Sequence, residues 1–404
     1  MFSFDPAEVC GVLKAISDRL HATKAEWLFG PPKFMFEGEK REEELSKEEK
    51  CLREVFLPLK GSYQWAVARK ESSLAYVGIN VYFNDDGTKL ILSQEEFIKK
   101  SVIKLKGKGL FRGDGSSGTT KGEEDAFVQL LESVKVLRQE DYNHLWLFEE
   151  TSENRPLDEK ELTLLRSGVN TLSYAASSTR YDLQSALGQI ARGQSKGRLR
   201  HLTSLRKLVG YANVHRAVQV EIEVPTYFPK IESTKELKLW ISCDFDSSMG
   251  MTSALGTDGH ARQGFMIYLG LSRDHCACVY GRSTLQATIA LSTCEAELTA
   301  CSFAAKNVVG LMNVLKLCFP GSTVETPTLH GDNQAANRIS AAQAGARNMR
   351  HLGLPDLWIR NLTRSSQLKI ADKRSALNTA DLLTKVLPQD KVNFLLPLAG
   401  LVKP

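Results

Sequence analysis

The 404-residue chain lacks several features that would place it at once. No run reaches the roughly 18 uninterrupted apolar residues that a membrane-spanning helix requires. The opening Met1-Phe2-Ser3-Phe4-Asp5-Pro6 has neither a basic nor an apolar leader segment, so the sequence reads as soluble and intracellular, with no membrane partner. Charge of one sign is missing too: Lys and Arg number 52 against 47 Asp and Glu, and a net +5 leaves any affinity for polyanions to local patches. Paired C-x-x-C spacing is absent. Cys10, Cys51, Cys243, Cys276, Cys278, Cys294, Cys301 and Cys318 lie in apolar surroundings and read as reduced core residues. His275-Cys276-Ala277-Cys278 falls in a strand-like run, where residues two apart share one face, and no zinc is assigned to it. What remains is ordinary: 42% hydrophobic and 25% charged residues exclude wholesale disorder, and the length suggests two or three domains.

Along the chain, residues 7–21 have the spacing of an amphipathic helix, and 36–53 form a charged segment with the character of a solvated helix face. Leu74 to Phe83 reads as one strand, followed by Asn84-Asp85-Asp86-Gly87 and a second strand from Lys89 to Leu92, the pattern of a hairpin. Residues 106–123 carry six glycines among serines and threonines, which marks a linker or insertion. From 160 to 218 the apolar residues recur at helical spacing. Within that region Arg192, Lys196, Arg198, Arg200, Arg206 and Lys207 run without an acid among them. This stripe either tracks phosphates or is a solvated basic helix. The connector Val224-Pro225-Thr226-Tyr227-Phe228-Pro229 then marks a boundary. The expected units are 1–105, a linker at 106–123, a helical region at 124–228, an α/β unit at 235–390 and a tail at 391–404.

The α/β unit begins with a strand from Leu237 to Cys243 that ends in Asp244-Phe245-Asp246, then strands at 263–271 and 277–286. Ser292 and Glu295 are spaced as a capping box that opens a long helix to about Cys318. Glu295 therefore has a structural duty, whereas Glu297 points elsewhere and is the better candidate for chemistry. A strand from Thr326 to His330 ends in Gly331-Asp332-Asn333-Gln334 and leads into a short helix. A helix at 354–362, a strand at 367–371 and a last helix near Asn378-Thr379-Ala380-Asp381 follow. Three strands, helix, strand, two helices, strand and helix argue for a mixed central sheet with flanking helices, whose ligands sit beyond the strand ends.

At these residues the chain resembles the RNase H domain of copia-type retrotransposon polyproteins. The matching pieces are Cys243-Asp244-Phe245-Asp246, the run from Ile289 to Leu298, His330-Gly331-Asp332-Asn333-Gln334-Ala335, Arg350-His351 and the run from Thr379 to Lys385. The resemblance implies that Asp244, Glu297, Asp332 and Asp381 are the four active-site carboxylates, holding two Mg²⁺ or Mn²⁺ ions and acting on the RNA strand of an RNA–DNA hybrid. The residue types suit that chemistry. Hydrolysis of a phosphodiester needs an activated water and relief of developing negative charge, and hard divalent ions bound by carboxylate oxygen supply both. Each acid also has a plain alternative: a strand end at Asp244, a helix cap at Asp332, a solvent-facing position at Glu297, a favourable helix dipole at Asp381. Glu297 and Asp332 are 35 positions apart, a spacing met in integrases, but there the Glu comes last and here it precedes.

The resemblance continues upstream. Tyr76-Val77-Gly78-Ile79 with Leu92 to Ile98 is similar to the palm-end hairpin of copia-type reverse transcriptases, and Val169 to Tyr174 with Ser178-Thr179-Arg180-Tyr181-Asp182 is similar to their thumb and connection. Tyr181 stands where a Pro is usual. The one adjacent Asp pair, Asp85-Asp86, sits in the expected turn and reads as turn chemistry, so no polymerase activity is expected. Gly353 and Pro355 interrupt the segment after His351, which implies a shortened or kinked helix. Arg198, Arg200, Arg206, Lys207, Asn333, Arg350 and His351 are the expected nucleic-acid contacts, with Arg338, Arg347, Arg360 and Arg364 nearby. The competing reading is an inactive nucleic-acid-binding or structural remnant of such an element.

Overall fold

A computed structural model describes residues 74–84, 88–111, 155–223, 238–248, 259–319, 321–343, 354–385, 387 and 389–404. The segments 7–21 and 36–53, the Asp85-Asp86-Gly87 turn, residues 112–123, the 224–229 connector and Arg347, Arg350 and His351 lie outside the described residues.

The N-terminal part opens with β1 (Leu74–Tyr76), β2 (Ile79–Phe83) and β3 (Lys89–Ser93), all antiparallel. The single strand expected at 74–83 is a hairpin instead. Val77 and Gly78 both take positive φ, +49° and +81°, and fold Tyr76 back onto Ile79. Helix α1 (Glu95–Gly107) follows, and Leu110 just beyond it is fully buried, so ordered packing extends into the glycine-rich stretch.

Helix α2 (Glu159–Ser178) starts at a reciprocal cap, with Asp158 accepting from Glu161 N at 2.8 Å and Glu161 from Asp158 N at 3.0 Å. Helices α3 (Gln184–Ile190), α4 (Gly193–Lys196) and α5 (Leu199–Val214) complete the bundle. Leu165, Val169, Leu172, Leu183, Leu205 and Leu208 form its core, the face that the 3.6-residue period marks. The motif Thr179 to Asp182 is a knot between layers. Arg180 is fully buried and forked onto Asp182 at 2.9 and 2.7 Å; Tyr211 donates to the same carboxylate, and Thr179 Oγ1 donates to Gln94 at 2.7 Å. Strand β4 (Gln219–Glu223) then pairs with β3.

The second sheet is mixed. Strands β5 (Lys238–Ser248), β6 (Arg262–Gly270) and β7 (Cys276–Leu285) form an antiparallel meander, followed by α6 (Thr293–Cys318). A two-residue strand β8 (Thr323–Val324) precedes β9 (Thr328–Gly331), α7 (Gln334–Ser340), α8 (Leu354–Arg364) and β10 (Lys369–Asp372). The sheet order is β10-β9-β5-β6-β7, with β9 parallel to β5 and β10 parallel to β9. This is the α/β order expected of the C-terminal unit. Pro355 occupies the first turn of α8, where no intrahelical N–H is needed, so it opens the helix rather than kinking it. Helix α6 is long and apolar enough to cross a membrane by length and composition, yet Ala300, Cys301, Ala304, Ala305 and Val308 on it are buried in the core shared with β5.

The chain closes with α9 (Asp381–Thr384), α10 (Gln389–Leu398) and β11 (Leu401–Val402). Residues 391–404, expected as a tail, are packed structure: β11 pairs with β4, and Val392, Leu395 and Leu401 enter a core with Val220, Met266 and Leu383. That core joins the two sheets. Tyr181 belongs to it and lies against Gly281 of β7, where an added Cβ would stand 3.1 Å from the ring.

Candidate metal centre

Strand β5 places carboxylates by alternation. Ile241, Cys243 and Phe245 pack into the α6 core, so Asp244 and Asp246 share the opposite face. The strand runs to Ser248 rather than ending near Cys243, while its parallel partner β9 pairs with it only as far as His330 opposite Asp244. Asp246 is thus the residue that clears the paired region, level with Asp332 just past the end of β9.

The structure brings Asp246, Glu297 and Asp332 together, each offering a carboxylate oxygen within 4.8 Å of the others. Glu297 reaches in from the first turns of α6. Ser292 caps that helix by accepting from Glu295 N at 3.1 Å, and Glu295 accepts from Leu291 N at 2.8 Å, the structural duty expected of it. Asp332 is free of capping because Asn333 does that work, accepting from Ala336 N at 3.1 Å. The expected contact residue Asn333 thus uses its Oδ1 to cap α7.

Asp244 does not join the cluster, which corrects its expected place among the ligands. Its buried carboxylate accepts from Thr379 Oγ1 at 2.7 Å and pairs with Lys373; His330 Nδ1 is 3.8 Å away. Asn378 Nδ2 donates to Phe245 O at 3.0 Å. Asp244 and Phe245 together pin the Asn378-Thr379 turn that leads into Asp381. Tyr268 OH and Thr379 Oγ1 are 2.7 Å apart, and since the threonine proton goes to the carboxylate, the tyrosine donates to the threonine.

Asp381 lies beside the trio through a shared cation. Lys385 Nζ is 2.6 Å from Asp381 Oδ1, 2.9 Å from Asp246 Oδ1 and 3.9 Å from Asp332 Oδ2, and Lys391 pairs with the other oxygen of Asp381. Asp246 also accepts from Thr384 Oγ1. Burial pushes the Asp246 carboxyl up to about 6, with Lys385 pulling against it and Asp381 adding to it. Burial pushes Glu297 to about 9, reinforced by Asp246 and Asp332. Glu297 Oε1 accepts from Ser247 N at 3.2 Å, whereas Oε2 is buried with no hydrogen-bond partner among the described residues. A crowded set of hard oxygen donors with one orphaned buried oxygen fits a small divalent cation.

Of the expected basic contacts, Arg198, Arg200, Arg206 and Lys207 lie at the start of and along α5, and Arg206 Nε donates to Leu110 O at 2.6 Å, closing the turn after α1.

Element order and acidic strand ends together define the C-terminal part as RNase H-like. Over 120 residues the chain is 30% identical to the retrovirus-related Pol polyprotein from transposon TNT 1-94 of Nicotiana tabacum, a match covering 30% of this chain and 9% of the polyprotein. The chain is thus a partial homologue of a retrotransposon Pol polyprotein and spans a small fraction of that relative. No protein-family model matches it. Similar solved structures include RNase H1 from the halophilic archaeon Halobacterium salinarum NRC-1, at 19% identity over 36% of this chain and 94% of that one, with a TM-score of 0.24. The N-terminal RNase H domain of rv2228c from Mycobacterium tuberculosis matches at 13% identity over 41% and 99%, with a TM-score of 0.24. Prototype foamy virus protease-reverse transcriptase matches at 11% identity over 75% and 46%, with a TM-score of 0.23.

Proposed function

We propose that the chain is a retrotransposon-derived ribonuclease that hydrolyses the RNA strand of RNA–DNA hybrids inside the cell, attached to a reverse transcriptase remnant without polymerase activity. The observation that carries this is the convergence of Asp246, Glu297 and Asp332 with an oxygen on Glu297 that is unpartnered among the described residues. In this reading those three acids, with Asp381 alongside, hold a pair of Mg²⁺ or Mn²⁺ ions. Such ions, when bound, supply Lewis acidity at the phosphodiester and lower the pKa of an attacking water. The chain's own residues do the rest. Ser247 N fixes the rotamer of Glu297, the Asn333 cap leaves Asp332 to the centre, and Asp244 with Phe245 O sets the approach of Asp381. Lys385 and Lys391 offset part of the cluster's negative charge.

The test is cleavage of an end-labelled RNA–DNA hybrid during Mg²⁺ or Mn²⁺ titration, with Asp246→Asn and Asp332→Asn as controls. Loss of cutting in both variants supports the reading; cutting that survives either substitution overturns it. A second reading, a nucleic-acid-binding remnant that does not cut, is favoured by the Lys385 ammonium standing between Asp246 and Asp381. Hybrid binding without cleavage at any divalent concentration selects it.

A further inference from the structure

A groove of about 410 Å³ runs along the seam between the helical bundle and the edge of the second sheet. Its walls include Ser173, Ser177, Gln184, Gly188, Arg282 and Ser283. The walls are tied together. Gln184 spans them, donating to Gly281 O at 2.6 Å and accepting from Ser283 N at 2.8 Å. No acidic side chain lines the groove among the described residues.

Between two of its lining residues lies Arg262, whose side chain is nearly all buried. A Cβ on Gly188 would stand 2.9 Å from Arg262 Nη1, so the absence of a side chain there makes room for the guanidinium against α3. On the other side Nη1 donates to Ser283 Oγ at 3.2 Å. That is its one hydrogen bond among the described residues, and it has no carboxylate partner among them. A guanidinium carries five N–H donors in a planar fork. Burial without a counter-charge is costly, and here a further arginine raises the cost: Arg192 is close enough to help burial push Arg262 down to about 10. Arg282 stands at the groove wall, its guanidinium over the Phe303 ring at 5.9 Å.

We propose that this groove is a phosphate-binding site for a nucleic-acid strand, with Arg262 and Arg282 as its cationic ligands. Arginine forks hold backbone phosphates without reading sequence. The volume admits a phosphodiester with its sugar. Ser283 Oγ also donates to Leu383 O at 2.6 Å, so the floor of the groove is bonded to α9, the helix that begins with Asp381. A strand gripped here lies one short helix from the acidic centre. The inference rests on the proposed action on nucleic acid and adds a second grip to it.

The experiment uses the full chain and a fluorescent RNA–DNA hybrid, with EDTA present so that no strand is cut, over a range of salt. Arg282→Gln and Arg262→Lys are the variants; the first is exposed and the second keeps the charge while losing the fork. Each is expected to weaken hybrid binding by about three- to tenfold, and Arg282→Gln to reduce the slope of log K against log salt by about 1. Wild-type affinity and slope in both variants overturn the proposal. A wild-type chain that binds no hybrid, yet is stabilised thermally by inorganic phosphate in an Arg282-dependent way, overturns the strand as occupant. Weakened binding in these variants, together with cleavage that survives Asp246→Asn, keeps the groove and rejects the metal centre.

Discussion

The buried acids make stability depend on pH in an unusual direction. A carboxyl raised from 4.5 to about 9, as at Glu297, keeps its proton in the native chain at neutral pH and gives it up on unfolding. The native state then binds more protons, and unfolding free energy falls as pH rises across that window. One extra bound proton corresponds to a slope of about 1.4 kcal/mol per pH unit, or about 3 kcal/mol between pH 6 and 8. Asp246, raised from 3.8 to about 6, adds to the same trend below pH 6. His201, His215 and His330, held below their ordinary value chiefly by burial, work in the opposite sense near pH 6. The informative quantity is therefore the difference between wild type and Glu297→Gln in urea unfolding at each pH, without divalent ions. Relative to the variant, the wild type should lose stability steadily from pH 6 to 8. Mn²⁺ binding should release a proton over the same range, read by calorimetry in buffers of different ionisation enthalpy. A flat difference together with no proton release would refute the picture of a protonated acidic pocket.

Other perturbations separate the residues further. Asp246→Asn should abolish thermal stabilisation by Mn²⁺, whereas Asp244→Asn, which can still accept from Thr379, should weaken it by no more than about tenfold; the reverse order contradicts the assignment of Asp246 to the cluster. Lys385→Gln removes a cation shared by Asp246 and Asp381, so it should destabilise the metal-free chain and tighten Mn²⁺ binding, and weaker binding speaks against charge compensation. At Gly264 a Cβ would come within 2.7 Å of Leu383 Cβ and 3.0 Å of Thr384 Cγ2. Gly264→Ala should therefore push α9 off the sheet at a cost of about 1–3 kcal/mol, and an unchanged urea midpoint would show that α9 yields freely.

Much of the α/β unit is legible because local signals agree. The capping box at Ser292 and Glu295 starts α6 and leaves Glu297 over for the site, and Gly331-Asp332-Asn333 marks a strand end followed by a cap. Asp246 was harder to see, since choosing between two aspartates on one strand face requires knowing where the parallel neighbour stops pairing, which is a tertiary fact. One local clue existed: the alternation Ile241, Cys243, Phe245 continues past Asp244, so the strand had to continue as well. The hairpin at Val77-Gly78 was hidden because a valine at positive φ is contrary to its preference. The Arg180 knot and the Arg262 groove depend on elements about 30 and 75 residues away respectively, beyond the reach of any local period.

The pairing of β11 with β4 has a practical side. A recombinant piece cut at residue 390 would leave Val392, Leu395 and Leu401 behind, and with them the apolar cover over Met266 and Leu383. Each such side chain is worth about 1.5–3 kcal/mol when buried. The C-terminal α/β unit is thus poorly suited to excision, and attempts to express it without residues 391–404 and their partner strand β4 should yield sticky, easily proteolysed material.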